Sequence, residues 1–333
     1  MSLKSYLQAR FCPQPQQETA AGVNAGDVFQ MVYGRLPDQS ELDMLNGWSS
    51  SLSPQDHLGL FRTAINAFDH QKSGTAFTVR FAKDDMQYMV FPGFEVALDN
   101  KDVSVSVQLL GGGYEQHLFK FFNQTLKPGM VFMDIGANIG FYSMFAASKV
   151  GADGKVISFE PNTENCRLIL LGMHRNKFQN IALYPFALGD RTGYALFSTH
   201  IGSNGGLIAD TEAMLLNPNC TIVPIIPLDN LITEKVDVIK IDVEGAEGLV
   251  VSGAKGLLEK HRPIVASEFS LEMLSRVSGM SGRDYLQYFQ DQRYDIYICD
   301  RQTQELIAIK SVEAFIDDYG EHTRIEDLAF IPR

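Results

Sequence analysis

The chain has 333 residues, 45% hydrophobic and 20% charged, with 40 acidic side chains against 28 basic ones and a net charge of -12. This length and composition suit a globular protein with one large core, or one medium domain with a small appendage, and its acidic balance argues against nucleic acid as a partner, since phosphate backbones are held by clustered Lys and Arg. Cys12, Cys166, Cys220 and Cys299 are scattered without any C-x-x-C pair, the pattern of reduced thiols in a cytoplasmic protein.

The opening "MSLKSYLQARFCPQPQQETA" has no apolar h-region, and no run of 18 apolar residues follows, so neither a signal peptide nor a transmembrane segment is expected. After a Gln- and Pro-rich leader the pattern turns helical. In "SPQDHLGLFRTAINAFDHQ", Ser53 is placed as N-cap and Pro54 at the first helical position, while Leu58, Phe61, Ile65 and Phe68 make one apolar stripe. "GDVFQMVYGRLPDQSELDMLNGW" predicts two short helices around Pro37. Residues 1–74 are therefore expected to be a leader and a small helical module that serves packing or partner contact. From Thr75 the period changes to two, and "AFTVRF", "MQYMVF" and "VSVSVQLL" predict a β lead-in over 75–110, with "KDD" and "LDNKD" as turns.

"YEQHLFKFFNQTL" returns to helix and is ended by Lys127-Pro128-Gly129. Strands "MVFMDIG", "KVISFEP", "IALYPFAL", "DVIKIDV", "RPIVASEF" and "DIYICD" then alternate with helical patterns. Their near-continuous apolar runs suit parallel strands buried on both faces. Residues 111–333 are expected to form an α/β domain with a doubly wound, mostly parallel, Rossmann-like sheet, closed by "YDIYICD" and "DLAFIPR". Between "FAL" and "DVIKID" the chain inserts "GYALFSTHIGSNGGLIAD" and "CTIVPIIPLDNLI", read as extra strands around a Gly-Ser-Asn loop. Loops at the carboxyl edge of such a sheet hold substrates.

The chemistry concentrates in three stretches. "VFMDIGANIGFYS" reads as strand, glycine turn and helix, but Gly140 is followed by Phe141-Tyr142 where a P-loop needs Lys and Ser/Thr. A dinucleotide turn needs a glycine where Asn138 stands, and Asp134 at the strand end would repel a pyrophosphate. S-adenosylmethionine carries a sulfonium and an ammonium and no phosphate, so a carboxylate there favours it. Glu160 in "FEPN" ends the next strand, where an acid accepts hydrogen bonds from both ribose hydroxyls, with Asn162 assisting. Ala187, Leu188 and Asp190 in "FALGD" are placed to wall the adenine, and Asp190 reads equally well as a loop cap. In "DVIKIDVEGAE", Lys240, Asp242 and Glu244 alternate onto one face near the strand's carboxyl end, beside the cofactor's methyl group. Charges there are costly unless paired or functional; a Lys240–carboxylate pair is the structural alternative.

In order along the chain, "GGGYEQHLFKFFNQTLKPG", "DIGANIGFYS", "FEPN", "FALGD", "PLDNL", "VIKIDVEGAE" and "RPIVASEFS" closely resemble the FkbM family of S-adenosylmethionine-dependent methyltransferases, over about residues 111–270. The resemblance implies a class I methyltransferase fold and O-methylation of sugars, polyketides or other hydroxylated metabolites. Carried onto this chain, it places Asp134, Gly136, Asn138, Gly140, Glu160 and Asp242 at the cofactor, with Tyr114 and Glu115 in the lead-in that covers it. "VYGRLPDQSELDMLNGW" is similar to helical modules attached to bacterial surface-polysaccharide enzymes, which tilts the expected acceptor towards a glycan.

The expected reaction is attack of an acceptor hydroxyl on the sulfonium methyl. Candidate bases are Asp242, Glu244, Glu268 and His200, and His200 has the most suitable intrinsic pKa. Asp242 with Glu268, on adjacent strand ends, is also a candidate pair for a divalent metal, while Ser203 and Asn204 are candidate acceptor contacts. A homo-oligomer is compatible with these readings. Two rivals stay open: a nicotinamide-dependent oxidoreductase on the same fold, and a non-catalytic cofactor-binding adaptor.

Overall fold

The computed structural model describes residues 78–81, 86–201, 203–208, 211–217, 219–319 and 324–333. The helical module expected over 1–74 lies outside them. In chain order, β1 (Thr78–Phe81), β2 (Met86–Phe91) and β3 (Phe94–Asp99) form an antiparallel three-stranded sheet. Two helices, α1 (Val105–Leu110) and α2 (Gln116–Thr125), lead to β4 (Val131–Ile135), α3 (Phe141–Val150), β5 (Lys155–Phe159), α4 (Thr163–Asn176) and β6 (Ile181–Tyr184). Then come β7 (Ala187–Leu188), β8 (Gly193–Ile201), β9 (Asn204–Ile208), α5 (Glu212–Leu215) and β10 (Cys220–Ile226). The chain continues through β11 (Val238–Ile241), α6 (Glu247–Ser252), α7 (Lys255–His261), β12 (Ile264–Phe269), α8 (Leu271–Ser278) and α9 (Gly282–Asp291). Last are β13 (Tyr294–Cys299), β14 (Leu306–Ala308), α10 (Val312–Asp318) and β15 (Glu326–Pro332).

The main sheet has eight strands in the order β14-β13-β15-β12-β11-β4-β5-β6. From β6 to β12 neighbouring strands are parallel, and β15 enters antiparallel between β12 and β13. This is the doubly wound, mostly parallel sheet expected. The order reverses between β4 and β11, which opens a crevice at their carboxyl ends, where such sheets bind ligands. Alternation along the strands builds two cores. Phe132 and Val238 pack with α2, α3 and α4, whereas Met133, Ile135, Ile239 and Ile241 pack with the helices of the other face. Asp134 and Lys240 fall in the first set by the same period, so both point to the α3 side. Helix α3 is buried nearly all round because the lead-in sheet covers it: Phe94 meets Phe141 and Phe145 at 5.9 and 5.8 Å between ring centres.

Three local expectations are corrected. "VSVSVQLL" is helix α1 rather than a strand: the carboxylate of Asp102 accepts the amide N–H groups of Ser104 and Ser106 at 2.9 and 2.7 Å, which starts a helical turn. "FEVALD", unread as a strand, is β3. "IALYPFAL" divides at Pro185, with β6 in the main sheet and β7 in a second, four-stranded sheet ordered β7-β10-β8-β9. The other three strands of that second sheet, β8, β9 and β10, are the inserted segment, folded as the extra strands anticipated. Among the described residues no helix is long and apolar enough to cross a membrane.

Candidate active site

The crevice between β4 and β11 is a cavity of about 470 Å³, within the usual range for a small-molecule site. Its floor is the turn after β4. The N–H groups of Gly136 and Ala137 both donate to the Phe159 carbonyl at 3.0 Å, tying the turn to β5. Gly136 has φ +80°, and a Cβ there would sit 1.8 Å from the Asp242 carbonyl oxygen, so only glycine allows β4 and β11 to approach this closely. Asn138 also takes a left-handed conformation, φ 50°. Gly140 does not line the cavity; it starts α3 and packs on Ile169.

At one end stands Glu160, buried. Its Oε2 accepts the Asn138 N–H at 2.7 Å, and its Oε1 accepts the Asn162 N–H at 2.8 Å and the Asn165 side-chain amide at 3.4 Å. Burial outweighs these bonds and pushes its carboxyl up to about 7. Phe186, Ala187, Leu188 and Phe197 add apolar wall. Asn162 is not part of that wall; its side chain caps α4 by accepting the Glu164 N–H at 3.0 Å. Asp190 is likewise outside the cavity, exposed and 3.3 Å from Arg191, so the adenine-wall expectation does not hold for it. Ser203 and Asn204 line the cavity, but the Ser203 hydroxyl is donated to Asp102 at 3.0 Å and Asn204 Oδ1 accepts the Asn138 amide at 3.0 Å. They are therefore held by the protein itself. The side chain of His200, in β8, lies outside the described residues.

The other end is charged. Lys240 is buried on β11, 2.8 Å from Asp242 Oδ2 and 5.2 Å from the centre of the Tyr142 ring. Burial works against its ammonium, but Asp242, Asp134 and Glu115 outweigh it and raise its pKa. Asp134 lies behind the cavity wall rather than on it. Its Oδ2 accepts the Ser143 hydroxyl at 2.6 Å, its Oδ1 has no hydrogen-bond partner, and burial raises its pKa against the pull of Lys240. The expectation that Asp134 meets a ligand's charge face to face is thereby corrected, because the strand period turns it towards α3. Tyr114 and Glu115 do line the cavity. Glu115, at φ 39°, is pushed up to about 8 by burial, with Lys240 opposing, and its Oε2 is unpartnered.

Glu244 and Glu268 complete this end. Glu244, at φ 55°, sits in a turn held by Glu247, whose Oε1 accepts the Val243 and Gly245 N–H groups at 3.1 and 3.2 Å. Burial, then the charge of Asp242, pushes Glu244 up to about 7. Glu268 is pushed well above the ordinary carboxyl range by burial and then by Asp242, Glu244 and Glu247. Asp242 and Glu268 share the cavity, but Lys240 already occupies Asp242, and among the described residues no group of three or more His, Cys, Asp and Glu is placed to hold a metal ion. Sequence reasoning missed a neighbouring trio: Asp327 Oδ2 takes both His117 Nε2 at 2.7 Å and Arg301 at 2.9 Å, and His117 and Arg301 line the cavity. The charge of Asp327 inside the apolar "DLAFIP" was the available signal. Asn165, which bonds both Glu160 and Ser203, offered none.

Comparison with known proteins adds to this geometry. No curated protein matches the chain. Among solved structures, the methyltransferase FkbM from Methylobacillus flagellatus KT is similar at 16% identity and TM-score 0.37, over 69% of this chain and 56% of that one. A putative rRNA-methylase from Clostridium thermocellum (12%, TM-score 0.40) is covered over 95% of its length and 66% of this chain. A putative methyltransferase from Streptococcus mutans in complex with SAH (9%, TM-score 0.36) is covered over 94% of its length and 65% of this chain. These likenesses are distant, and the chain spans little more than half of the Methylobacillus protein. The family match is direct: residues 134–296 match the Methyltransferase FkbM domain. Those residues run from Asp134 in β4 into β13, taking in Glu160 and the Lys240–Asp242 strand, and over them, a little under half of its length, the chain is similar to the FkbM methyltransferase domain.

Proposed function

We propose that this protein is an S-adenosylmethionine-dependent O-methyltransferase acting on a hydroxyl of a sugar, glycan or related hydroxylated metabolite. The observation that carries the reading is the switch-point cavity with Glu160 at the end of β5 and an asparagine, not a glycine, in the middle of the turn. The residues present fit the cofactor. The buried Glu160 carboxylate suits a vicinal diol, Phe186, Ala187 and Leu188 suit a base, and the unpartnered Glu115 Oε2 suits an ammonium. When bound, S-adenosylmethionine supplies a methyl group open to in-line displacement by oxygen.

The chain's own groups supply the rest. Glu160 orients the ribose. Glu115, pushed up to about 8 by burial, gains a partner for its ionised form when a cationic group enters the far end of the cavity. A sugar hydroxyl is a poor nucleophile until its proton leaves, and Glu244, poised near 7 and lining the cavity, is placed to take it. Glu268, whose acid form is favoured by burial and the neighbouring carboxylates, lines the cavity as a donor to a second acceptor oxygen. Lys240 stays charged and holds Asp242. The family match supports methyl transfer, and the resemblance of the N-terminal stretch to modules of surface-polysaccharide enzymes supports the glycan.

Transfer of labelled methyl from S-adenosylmethionine to sugar nucleotides and cell-surface glycan extracts tests this, with and without chelator. Label in carbohydrate is expected. Label confined to lipid or protein would overturn the glycan acceptor. Thermal stabilisation by a nicotinamide dinucleotide but not by S-adenosylmethionine would overturn the donor. The chelator arm decides whether Asp242 and Glu268 need a cation.

A further inference from the structure

We infer that Asp102 is a positioning residue for the nucleoside end of the cavity, acting through Ser203, Asn138 and Asn165 on Glu160. This rests on the methyl-donor reading above. Asp102 is buried, and its carboxylate accepts four hydrogen bonds. Oδ1 takes the N–H groups of Ser104 and Ser203 at 2.9 and 2.8 Å; Oδ2 takes the Ser106 N–H at 2.7 Å and the Ser203 hydroxyl at 3.0 Å. Two donors belong to the start of α1, and two to a residue 101 positions further along the chain. A helix cap alone would not require the second pair.

Ser203 has one polar group left, its carbonyl, and this accepts the side-chain amides of Asn165 at 2.9 Å and Asn138 at 3.4 Å. The same two asparagines reach Glu160, Asn138 through its backbone N–H at 2.7 Å and Asn165 through its amide at 3.4 Å. Every polar atom of Ser203 is thus engaged; the Asn165 amide is shared between Ser203 and Glu160, and the Asn138 amide between Ser203 and Asn204 Oδ1 at 3.0 Å. Released from Ser203, the Asn165 amide would close on its other acceptor, the Glu160 carboxylate, and occupy a lone pair that a ribose diol needs, while the Asn138 turn that donates its N–H to Glu160 would lose one of its two side-chain anchors. By anchoring Ser203, Asp102 keeps Glu160 open to ligand.

The test uses the full chain with Asp102→Asn, which keeps the shape but sets an NH2 against N–H donors. S-adenosylhomocysteine is the binding probe, and amide exchange is read by mass spectrometry on peptides spanning 136–140 and 203–208. Exchange should rise in both peptides while strands β4 and β5 keep their protection, and the probe should bind about tenfold more weakly. Combined with Glu160→Gln, the losses should be markedly less than additive, because both changes act on one carboxylate. Faster exchange near Ser203 alone, or additive losses, would reduce Asp102 to a helix cap and overturn the inference. If the wild-type chain binds no probe, the methyl-donor reading fails, and exchange in the 136–140 peptide still decides whether the chain of bonds exists. Should Asp102→Asn not fold, Ser203→Ala, which removes only the hydroxyl bond, is expected to show the same exchange pattern in weaker form.

Discussion

Replacing Gly136 by alanine probes the contact on which the crevice depends. The added Cβ would lie 1.8 Å from the Asp242 carbonyl oxygen and 2.8 Å from its carbon, backbone atoms with no freedom to swing aside. Relief requires the ends of β4 and β11 to part by about an ångström, which breaks the 3.0 Å bond from the Asp242 N–H to the Ile135 carbonyl. The φ of +80° costs a further amount for any L side chain. Left-handed backbone contributes about 1–2 kcal/mol, overpacking about 1–3 kcal/mol and the lost hydrogen bond about 1 kcal/mol. The expected loss is therefore about 3–6 kcal/mol, a large share of the stability of an ordinary domain. Gly279 is the control, because it also has positive φ, +66°, but open space around it. Gly279→Ala should lose only the backbone contribution, about 1–2 kcal/mol. Urea midpoints at constant slope measure both. Equal losses for the two variants would refute the close approach of the strand ends.

Three further outcomes are expected. Glu160→Gln should weaken S-adenosylhomocysteine binding about 10- to 100-fold by calorimetry; wild-type affinity should rise with pH through about 7 as the carboxyl ionises, and the variant should be flat. Glu244→Gln should lower the methyl-transfer rate about 10²- to 10⁴-fold, and the limb of the wild-type pH–rate profile that ascends near 7 should vanish, since the base acts only above its pKa. Lys240→Met leaves Asp242, Asp134 and Glu115 without their shared cation and should cost about 3–5 kcal/mol in urea unfolding at pH 8. That loss should shrink as pH falls and the acids take up protons; a loss independent of pH would refute the charge argument.

The parts legible in the sequence were those with local causes. A parallel strand buried on both faces must be apolar throughout, so β4, β5, β11 and β12 stood out, as did the acids and the lysine that break the pattern at their ends. Alternation of Val and Ser misled at 103–107, where Asp102 draws the backbone into a helix that no period reveals. Side-chain direction was only partly legible: Asp134 ends the correct strand but faces α3, and Asp190 follows the correct strand but faces solvent. Bonds across the chain were invisible. Asp102 to Ser203 spans 101 positions and His117 to Asp327 spans 210, so neither leaves a mark in spacing or composition.

Strand β15 carries a consequence for how the chain is made. It is later in sequence than every strand it touches, yet it is the seam through which β13 is joined to β12, and β14 in turn reaches the sheet only through β13. During synthesis β12 waits with an open edge until Glu326–Pro332 has left the ribosome, and Asp327, which holds His117 and Arg301, arrives only with that strand. Assembly of the charged end of the cavity is thus a late, long-range event, slowed by the loop that must close before the pairing can form.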